Sequence, residues 1–266
     1  MTLTVTILGC GSSAGVPRVG QGWGACDPAN PKNRRRRCSL LVERAGPAGR
    51  TQVLVDSSPD LREQLLDADV RWLDGVLYTH DHADHTHGID DLRPLVLAAG
   101  KRINTYMDKS TEAILTERFS YCFAAPPGGE YPPILDVRPL AAGRPVRIAG
   151  EGGEIAATPF AQGHGSGTSL GLRFGPLAYS CDVSDIPAES LEMLRGLDIW
   201  ILDALRYRPH PSHFSVDDAL AWIERVRPKR AVLTNLHFDL DYETLRRALP
   251  AHVEPAHDGM RIVLER

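Results

Sequence analysis

The segment Thr79-His80-Asp81-His82-Ala83-Asp84-His85 constrains this chain more than any other. It spells H-x-H-x-D-H straight after an apolar run, residues 75–79, that reads as a strand. Neutral imidazole and carboxylate are the ligands that zinc, manganese and iron accept. Three histidines and an aspartate within six residues are more ligands than one ion easily uses. A tight loop can send His80 and His82 to one ion, and Asp84 and His85 to another. The bland alternative is a polar surface loop. It is the better reading of a lone histidine and a poor one for this string behind this strand.

A two-ion site needs further ligands, and open α/β architectures place such groups at strand ends. Strands are predicted at 5–8, 38–43, 53–56, 75–79, 103–107, 155–160, 170–174, 177–180, 199–203, 231–234 and 260–264. Helices are predicted at 61–68 with Ser57 or Ser58 as cap, at 89–99 with Pro94 disturbing it, and at 188–195, 216–226 and 245–249. Behind three of the strands lie His164 in Gln162-Gly163-His164-Gly165, Asp182 in Ser180-Cys181-Asp182 and His237 in Asn235-Leu236-His237. Each alone is weak evidence. Together, behind the first cluster, they form a candidate ligand set.

Composition bounds the class. The chain has 266 residues, 42% apolar and 24% charged, enough for a sizeable core, and one domain over 1–266 is expected. A net charge of −4 argues against nucleic-acid binding driven by overall charge. Cys10, Cys26, Cys38, Cys122 and Cys181 are odd in number and contain no C-x-x-C pair, so neither a disulfide framework nor a zinc knuckle is expected. Without a leader-like start or a run of about 18 apolar residues, the chain reads as cytoplasmic and without a membrane partner. Residues 11–37 make a long Gly-, Pro- and Ser-rich loop ending in Arg34, Arg35, Arg36 and Arg37. Those four arginines read as a solvated or subunit-facing stretch.

The order H-x-H-x-D-H, then His164, Asp182 and His237, resembles the metallo-β-lactamase superfamily over nearly the whole chain. The resemblance implies an α/β fold, the αβ/βα four-layer sandwich: two sheets face to face, with helices outside. It implies that His80, His82 and His164 hold one divalent ion, zinc or manganese, that Asp84, His85 and His237 hold a second, and that Asp182 bridges both. Asn235 occupies a position that is histidine in some relatives. Asp182 in place of cysteine sets the chain apart from the antibiotic-hydrolysing branch.

The opening Leu8-Gly9-Cys10-Gly11-Ser12-Ser13-Ala14-Gly15-Val16-Pro17 is similar to the phosphodiesterase branch that contains ribonuclease Z and PhnP. Arg37-Cys38-Ser39-Leu40-Leu41-Val42, Gly88-Ile89-Asp90-Asp91-Leu92-Arg93 and His257-Asp258-Gly259-Met260 resemble PhnP-like proteins in particular. This implies a binuclear metal-dependent phosphodiesterase acting on a small cyclic phosphate or nucleotide-like phosphodiester. A ribonuclease Z-type nuclease and a carbon-centred hydrolase, thioesterase or lactonase, are the alternatives. PhnP relatives hold an extra zinc with clustered cysteines in the first long loop. Only Cys26 stands there in this chain, so no structural zinc is expected. Trp23 packing, or a second subunit in a homodimer, is the expected anchor instead. Ribonuclease Z relatives carry a protruding arm for transfer RNA, and no insertion of that size is present. A small phosphorylated substrate is thus the expected partner, not nucleic acid.

Further roles follow from chemistry and from the same resemblance. His213, in Pro211-Ser212-His213-Phe214-Ser215 ahead of the 216–226 helix, is the candidate general acid. A helix N-terminus favours phosphate, and PhnP and ribonuclease Z relatives carry a histidine in a similar motif. The alternative is a histidine packed at a helix start, and His210 is the nearby competitor. Asp84, beside the reacting water, is the second catalytic candidate. Arg93 is the candidate phosphate clamp. Asp91, with Asp90, is a candidate for a sugar hydroxyl, and Ser12 for lining the substrate site.

Overall fold

The computed structural model describes residues 2–125, 128 and 131–265. β1 (Thr2–Gly9), β2 (Ser39–Gly46) and β3 (Gly49–Val55) pair antiparallel, and their apolar residues alternate between two covered faces. α1 (Leu61–Asp67), β4 (Gly75–Leu77), α2 (Ala83–Thr86), α3 (Arg93–Ala99), β5 (Ile103–Met107), α4 (Lys109–Arg118), α5 (Ser120–Phe123) and β6 (Leu135–Pro139) follow. β4, β5 and β6 extend the sheet in parallel from β3. A second sheet takes β7 (Val146–Ile148), β8 (Ile155–His164), β9 (Gly167–Phe174), β10 (Leu177–Ser180), β11 (Ile199–Asp203), β12 (Arg230–Thr234) and β13 (Val253–Pro255) in consecutive spatial order. α6 (Val216–Val226) and α7 (Tyr242–Ala248) connect its later strands, and β14 (Met260–Glu265) returns to pair with β1.

Three apolar layers follow from this arrangement. Between the sheets, Val5, Ile7, Leu40, Val42, Val53 and Val55 are buried with Leu172, Tyr179, Ile201 and Val232. Leu41, Leu54 and Val76, on the opposite face, pack with Leu61, Leu65, Val96 and Leu115 of the helices. Trp200, Leu202 and Leu233 pack outward with Ala219, Ile223 and Leu245. The order is helix, sheet, sheet, helix, which is the αβ/βα sandwich expected. Among the described residues, no helix is long and apolar enough to cross a membrane.

Several boundaries differ from the predicted ones for physical reasons. The 89–99 helix is divided into a 3-10 turn, Ile89–Leu92, and α3, with Pro94 in the first turn, where its missing N–H leaves no bond unmade. β8 runs past Phe160 to His164 because it stays paired with β9 to the His164–Gly167 register. Its hairpin turns at Gly165, whose φ of +61° is left-handed and where a Cβ would lie 2.9 Å from that of Ser212. α6 begins with a reciprocal cap. Ser215 Oγ accepts from Asp218 N at 3.2 Å, and Asp218 accepts from Ser215 N at 3.0 Å. That cap sets where His213, two residues earlier, enters the site.

Of the arginine run, expected as a solvated or subunit-facing stretch, Arg35, Arg36 and Arg37 are structural, whereas Arg34 is exposed. Arg35 is 2% exposed. Its guanidinium donates to the carbonyls of His237 (3.1 Å) and Leu240 (2.6 Å) and lies 3.7 Å from Cys26 Sγ. Arg36 pairs with Asp258 and Asp67, Arg37 pairs with Asp60, and Arg34 lies over the Trp23 ring at 5.8 Å. Asn33 adds bonds to Asp241 Oδ2 and from Tyr242 N. The 11–37 loop is therefore clamped to residues 237–242 by charge-assisted hydrogen bonds, with Cys26 Sγ placed against the carbonyls of Phe238 and Leu240. Replacing Arg35 with methionine would remove the charged donor from both carbonyls, leaving Leu240 N on that of His237 and only the weak Cys26 thiol on that of Leu240. Arg35→Met is expected to lower the unfolding free energy by about 2–4 kcal/mol in urea titrations. A change below about 0.5 kcal/mol, the ordinary effect of a surface substitution, would show that the clamp is dispensable.

Candidate metal centre

The site gathers at the ends of β3, β4, β8, β10, β11 and β12. Three of the residues just past those strands, Asp56 (φ 60°), Asp182 (φ 53°) and Asn235 (φ 61°), are left-handed. Short polar side chains tolerate that conformation, and it turns the chain sharply at the strand end. Asp56 is buried and organises the first loop. Its Oδ1 accepts from Thr79 N (2.8 Å), and its Oδ2 accepts from Thr79 Oγ1 (2.8 Å) and lies 2.8 Å from His85 Nδ1.

Asp182 stands at the centre. Its Oδ2 lies 3.6 Å from His80 Nε2 and 3.6 Å from His164 Nε2, and His82 Nδ1 is 3.3 Å from that same His164 nitrogen. Its Oδ1 lies 3.2 Å from His85 Nε2, which is itself 3.5 Å from Asp84 Oδ2. The two oxygens thus face different groups: His80, His82 and His164 on one side, Asp84 and His85 on the other. The far ring nitrogens are held in place, His80 Nδ1 by Thr79 Oγ1 (3.0 Å), His85 Nδ1 by Asp56 and His164 Nδ1 by the Ser212 carbonyl (2.7 Å). Partners of that kind fix ring orientation and leave the other nitrogen to bind a cation.

The donor set fits divalent ions. His80 Nε2 and His85 Nε2 are buried and have no hydrogen-bond partner, a costly arrangement unless a cation fills it. Burial, reinforced by His85, holds His80 well below the ordinary imidazole range despite Asp182, so its lone pair is available. Burial would also lower His85, yet Asp182, Asp84 and Asp56 together raise it well above that range. The carboxylates that keep a proton on His85 would hold a metal cation in its place.

His213 sits on the edge of this cluster. Its Nδ1 is 2.8 Å from Asp203 Oδ2, while its Nε2 is 3.9 Å from Asp182 Oδ2. Burial opposes its charged form, but the hydrogen bond and charge of Asp203, with Asp182, raise its pKa above the ordinary value. Asp203 is the last residue of β11 and also accepts from Val183 N at 3.1 Å. The ring of His210 lies 5.1 Å from that of His213, and its Nδ1 accepts from Ser212.

A cavity of about 340 Å³ opens above the cluster, lined by Ser12, Arg18, His82, Asp84, His164, Asp182, Arg206, His213, Asn235 and His237 among others. Ser12, the candidate for lining the substrate site, is on the wall of this cavity. The ring of His237, expected as a ligand of the second ion, stands apart: its Nδ1 lies 3.0 Å from Asp239 Oδ2 and the ring meets Phe238 edge-on at 4.4 Å. The left-handed turn at Asn235 points the first residue past β12 inward, and its Nδ2 donates to Asp182 Oδ1 at 3.1 Å. Two residues later His237 still borders the cavity but lies apart from the imidazole cluster. Arg93 and Asp91 do not line the cavity. The Arg93 guanidinium holds Asp90 (2.8 Å) and the Pro132 carbonyl and lies over the Tyr121 ring, which occupies the fork proposed for phosphate. Asp91 lies by Arg62, at the end of the same 3-10 turn. Sequence reasoning missed Asp56, Asp203, Arg18 and Arg206. The strand-terminal positions of the two aspartates were the available signal; the arginines carried none.

Residues 51–238 match the family model of the Beta-lactamase superfamily domain. The crystal structure of a diphosphatase from the PhnP family is 37% identical, with a TM-score of 0.89 over 99% of this chain and 98% of that one. Zinc-bound PqqB from Methylobacterium extorquens is 17% identical, with a TM-score of 0.75 over 97% of this chain and 99% of that one; it shares the fold. An octanoyltransferase from Porphyromonas gingivalis is 33% identical over 97% of this chain. This chain spans about half the length (51%) of that relative.

Proposed function

The chain belongs to the β-lactamase superfamily, in its metallo-hydrolase branch, and from that premise we propose that it hydrolyses a small phosphodiester or diphosphate ester with two divalent ions, zinc or manganese. The observation that carries this reading is the Asp182 carboxylate, whose oxygens face two separate donor groups at the floor of a cleft with basic walls. His80, His82, His164 and Asp182 Oδ2 would hold one ion; Asp84, His85 and Asp182 Oδ1, with Asn235 beside them, would hold the other. Such ions supply a water acidic enough to attack at neutral pH and offset charge on the phosphoryl oxygens. Asp84, beside His85 in the second donor group, would orient that water. Asp203 fixes the tautomer and direction of the His213 ring, so that Nε2 presents a proton toward the cleft. There it protonates the departing oxygen, the step for which a ring held by a buried carboxylate is suited. The likeness to a PhnP-family diphosphatase supports phosphorus as the centre attacked.

The match to an octanoyltransferase favours a second reading, a hydrolase of acyl thioesters or of some other carbon centre, but that name belongs to a polypeptide of which this chain covers only half. One experiment separates the readings. Protein stripped by chelator and reloaded with zinc or manganese is offered bis-p-nitrophenyl phosphate, an octanoyl thioester and a precursor transfer RNA. Turnover of the phosphodiester alone, lost on stripping and restored on reloading, is expected. Turnover of the thioester alone would overturn the phosphorus reading, and cleavage of the RNA would move the substrate to nucleic acid.

A further inference from the structure

We propose that the two halves of the metal centre are unequal and take different ions. The half around His80, His82 and His164 holds zinc tightly. The half around Asp84 and His85 exchanges its ion more readily and accepts manganese beside that zinc, and Asn235 is the residue that sets the difference. The inference rests on the two-ion reading above and assigns each half its ion.

Donor chemistry is the first argument. The ligand atoms of His80, His82, His164 and Asp182 all lie within 4.8 Å of one another, so three imidazoles and a carboxylate are already gathered. Four such donors complete a tetrahedral site, the geometry zinc takes. The other half has a single imidazole: His85 Nε2 stands 3.2 Å from Asp182 Oδ1 and 3.5 Å from Asp84 Oδ2. Asn235, next to it, can add only a neutral amide oxygen as a donor. Imidazole suits zinc, whereas carboxylate, carbonyl and water oxygens suit manganese. Most sites of nitrogen and oxygen bind zinc above manganese. The gap is narrowest where oxygens dominate, so manganese in excess enters the second half and not the first.

The two oxygens of Asp182 supply the second argument. Oδ2 faces imidazole nitrogens, those of His80 and His164 at 3.6 Å and that of His213 at 3.9 Å. Oδ1 is engaged on two further sides. Asn235, buried and held by its left-handed turn, donates to it from Nδ2 at 3.1 Å, and Cys181 Sγ donates at 3.1 Å. Each of these bonds draws on the lone pairs that Oδ1 would offer to a cation. The bridging carboxylate is therefore the poorer ligand on the side of His85. Cys181 Sγ also lies within 4.8 Å of the ligand atoms of His85 and Asp182. A bound thiolate would make this half soft, and the test distinguishes that case.

Protein stripped by chelator is given one equivalent of zinc per chain and then dialysed against excess manganese. Bound metal is measured by elemental analysis, and manganese by its spin-resonance spectrum. One zinc and one manganese per chain are expected, with the spectrum of a single manganese uncoupled from any other. Anomalous scattering should place the zinc among His80, His82 and His164. Asn235→His puts imidazole at a left-handed position that histidine tolerates better than most residues. It should raise zinc affinity in the second half by at least about 10-fold, so that a second zinc excludes manganese. Should that variant fail to fold, Asn235→Asp decides: its added carboxylate should tighten manganese by a similar factor. Zinc divided evenly between the halves, a coupled manganese pair, or unchanged affinities in the Asn235 variant tested would overturn the proposal. So would a thiolate-to-metal charge-transfer band in cobalt-substituted protein that is lost in Cys181→Ser. A single ion bound at saturation would overturn the two-ion reading itself, and this assignment with it.

Discussion

His213→Ala is expected to keep its metal and to lose roughly 10²–10⁴-fold in kcat/KM on an alkyl or nucleoside phosphodiester, the usual range for general acid catalysis. The loss should be far smaller on an activated aryl ester. An alkoxide leaving from ribose needs a proton as the bond breaks; a nitrophenolate is already stable as an anion. The geometry gives the comparison its force, because Nε2 of His213 faces the cleft while Nδ1 is tied to buried Asp203. Asp203→Asn should therefore reproduce the same dependence on leaving group in weaker form, since it frees the ring without removing it. Using kcat/KM keeps altered binding from passing as altered chemistry. Equal losses on both classes of ester would make His213 a positioning residue. No loss on either would leave His210, whose ring is 5.1 Å away, as the remaining imidazole for the task.

Asp182→Ala should have the largest effect on the centre itself. Its two oxygens face the two donor groups separately, so its loss removes a ligand from both. Metal content measured on freshly purified protein should fall from about two ions per chain to below one, and turnover should drop by roughly 10³-fold or more. His82→Ala makes a useful contrast, since His82 belongs to one group only and its loss should spare the ion held by Asp84 and His85. Retention of two ions and full turnover by Asp182→Ala would show that the carboxylate does not bridge.

Much of this was legible before any coordinates. The H-x-H-x-D-H string places four donors within six residues, and local spacing alone brings them together. His164 and Asp182 were readable because each follows an apolar strand, and parallel strands deliver their ends to one edge. The αβ/βα layering was implied by the family resemblance those motifs carry, and the strands covered on both faces accord with it. What escaped notice depended on geometry that a linear pattern does not carry. Which residue past β12 meets Asp182 is set by the left-handed turn at Asn235, which brings Asn235 to that carboxylate and leaves His237 against Asp239. Arg93 had the right chemistry for a phosphate clamp, but Asp90, three residues earlier on the same turn, takes its fork. The four consecutive arginines looked alike in sequence, yet one is buried, two are paired with aspartates and one lies over an indole ring, because their partners come from positions up to 222 residues away. Strands β7 and β13, of three residues each, are too short to show a period, and their pairing comes from the neighbouring strand.

The most direct test of the two-ion centre is anomalous scattering from crystals of protein reloaded with zinc or manganese, recorded on both sides of the metal absorption edge. Two peaks are expected, roughly 3.5–4 Å apart and on opposite sides of the Asp182 carboxylate, one among His80, His82 and His164 and the other between Asp84 and His85. A single peak under saturating metal, or a second peak held by His237 away from Asp182, would contradict it.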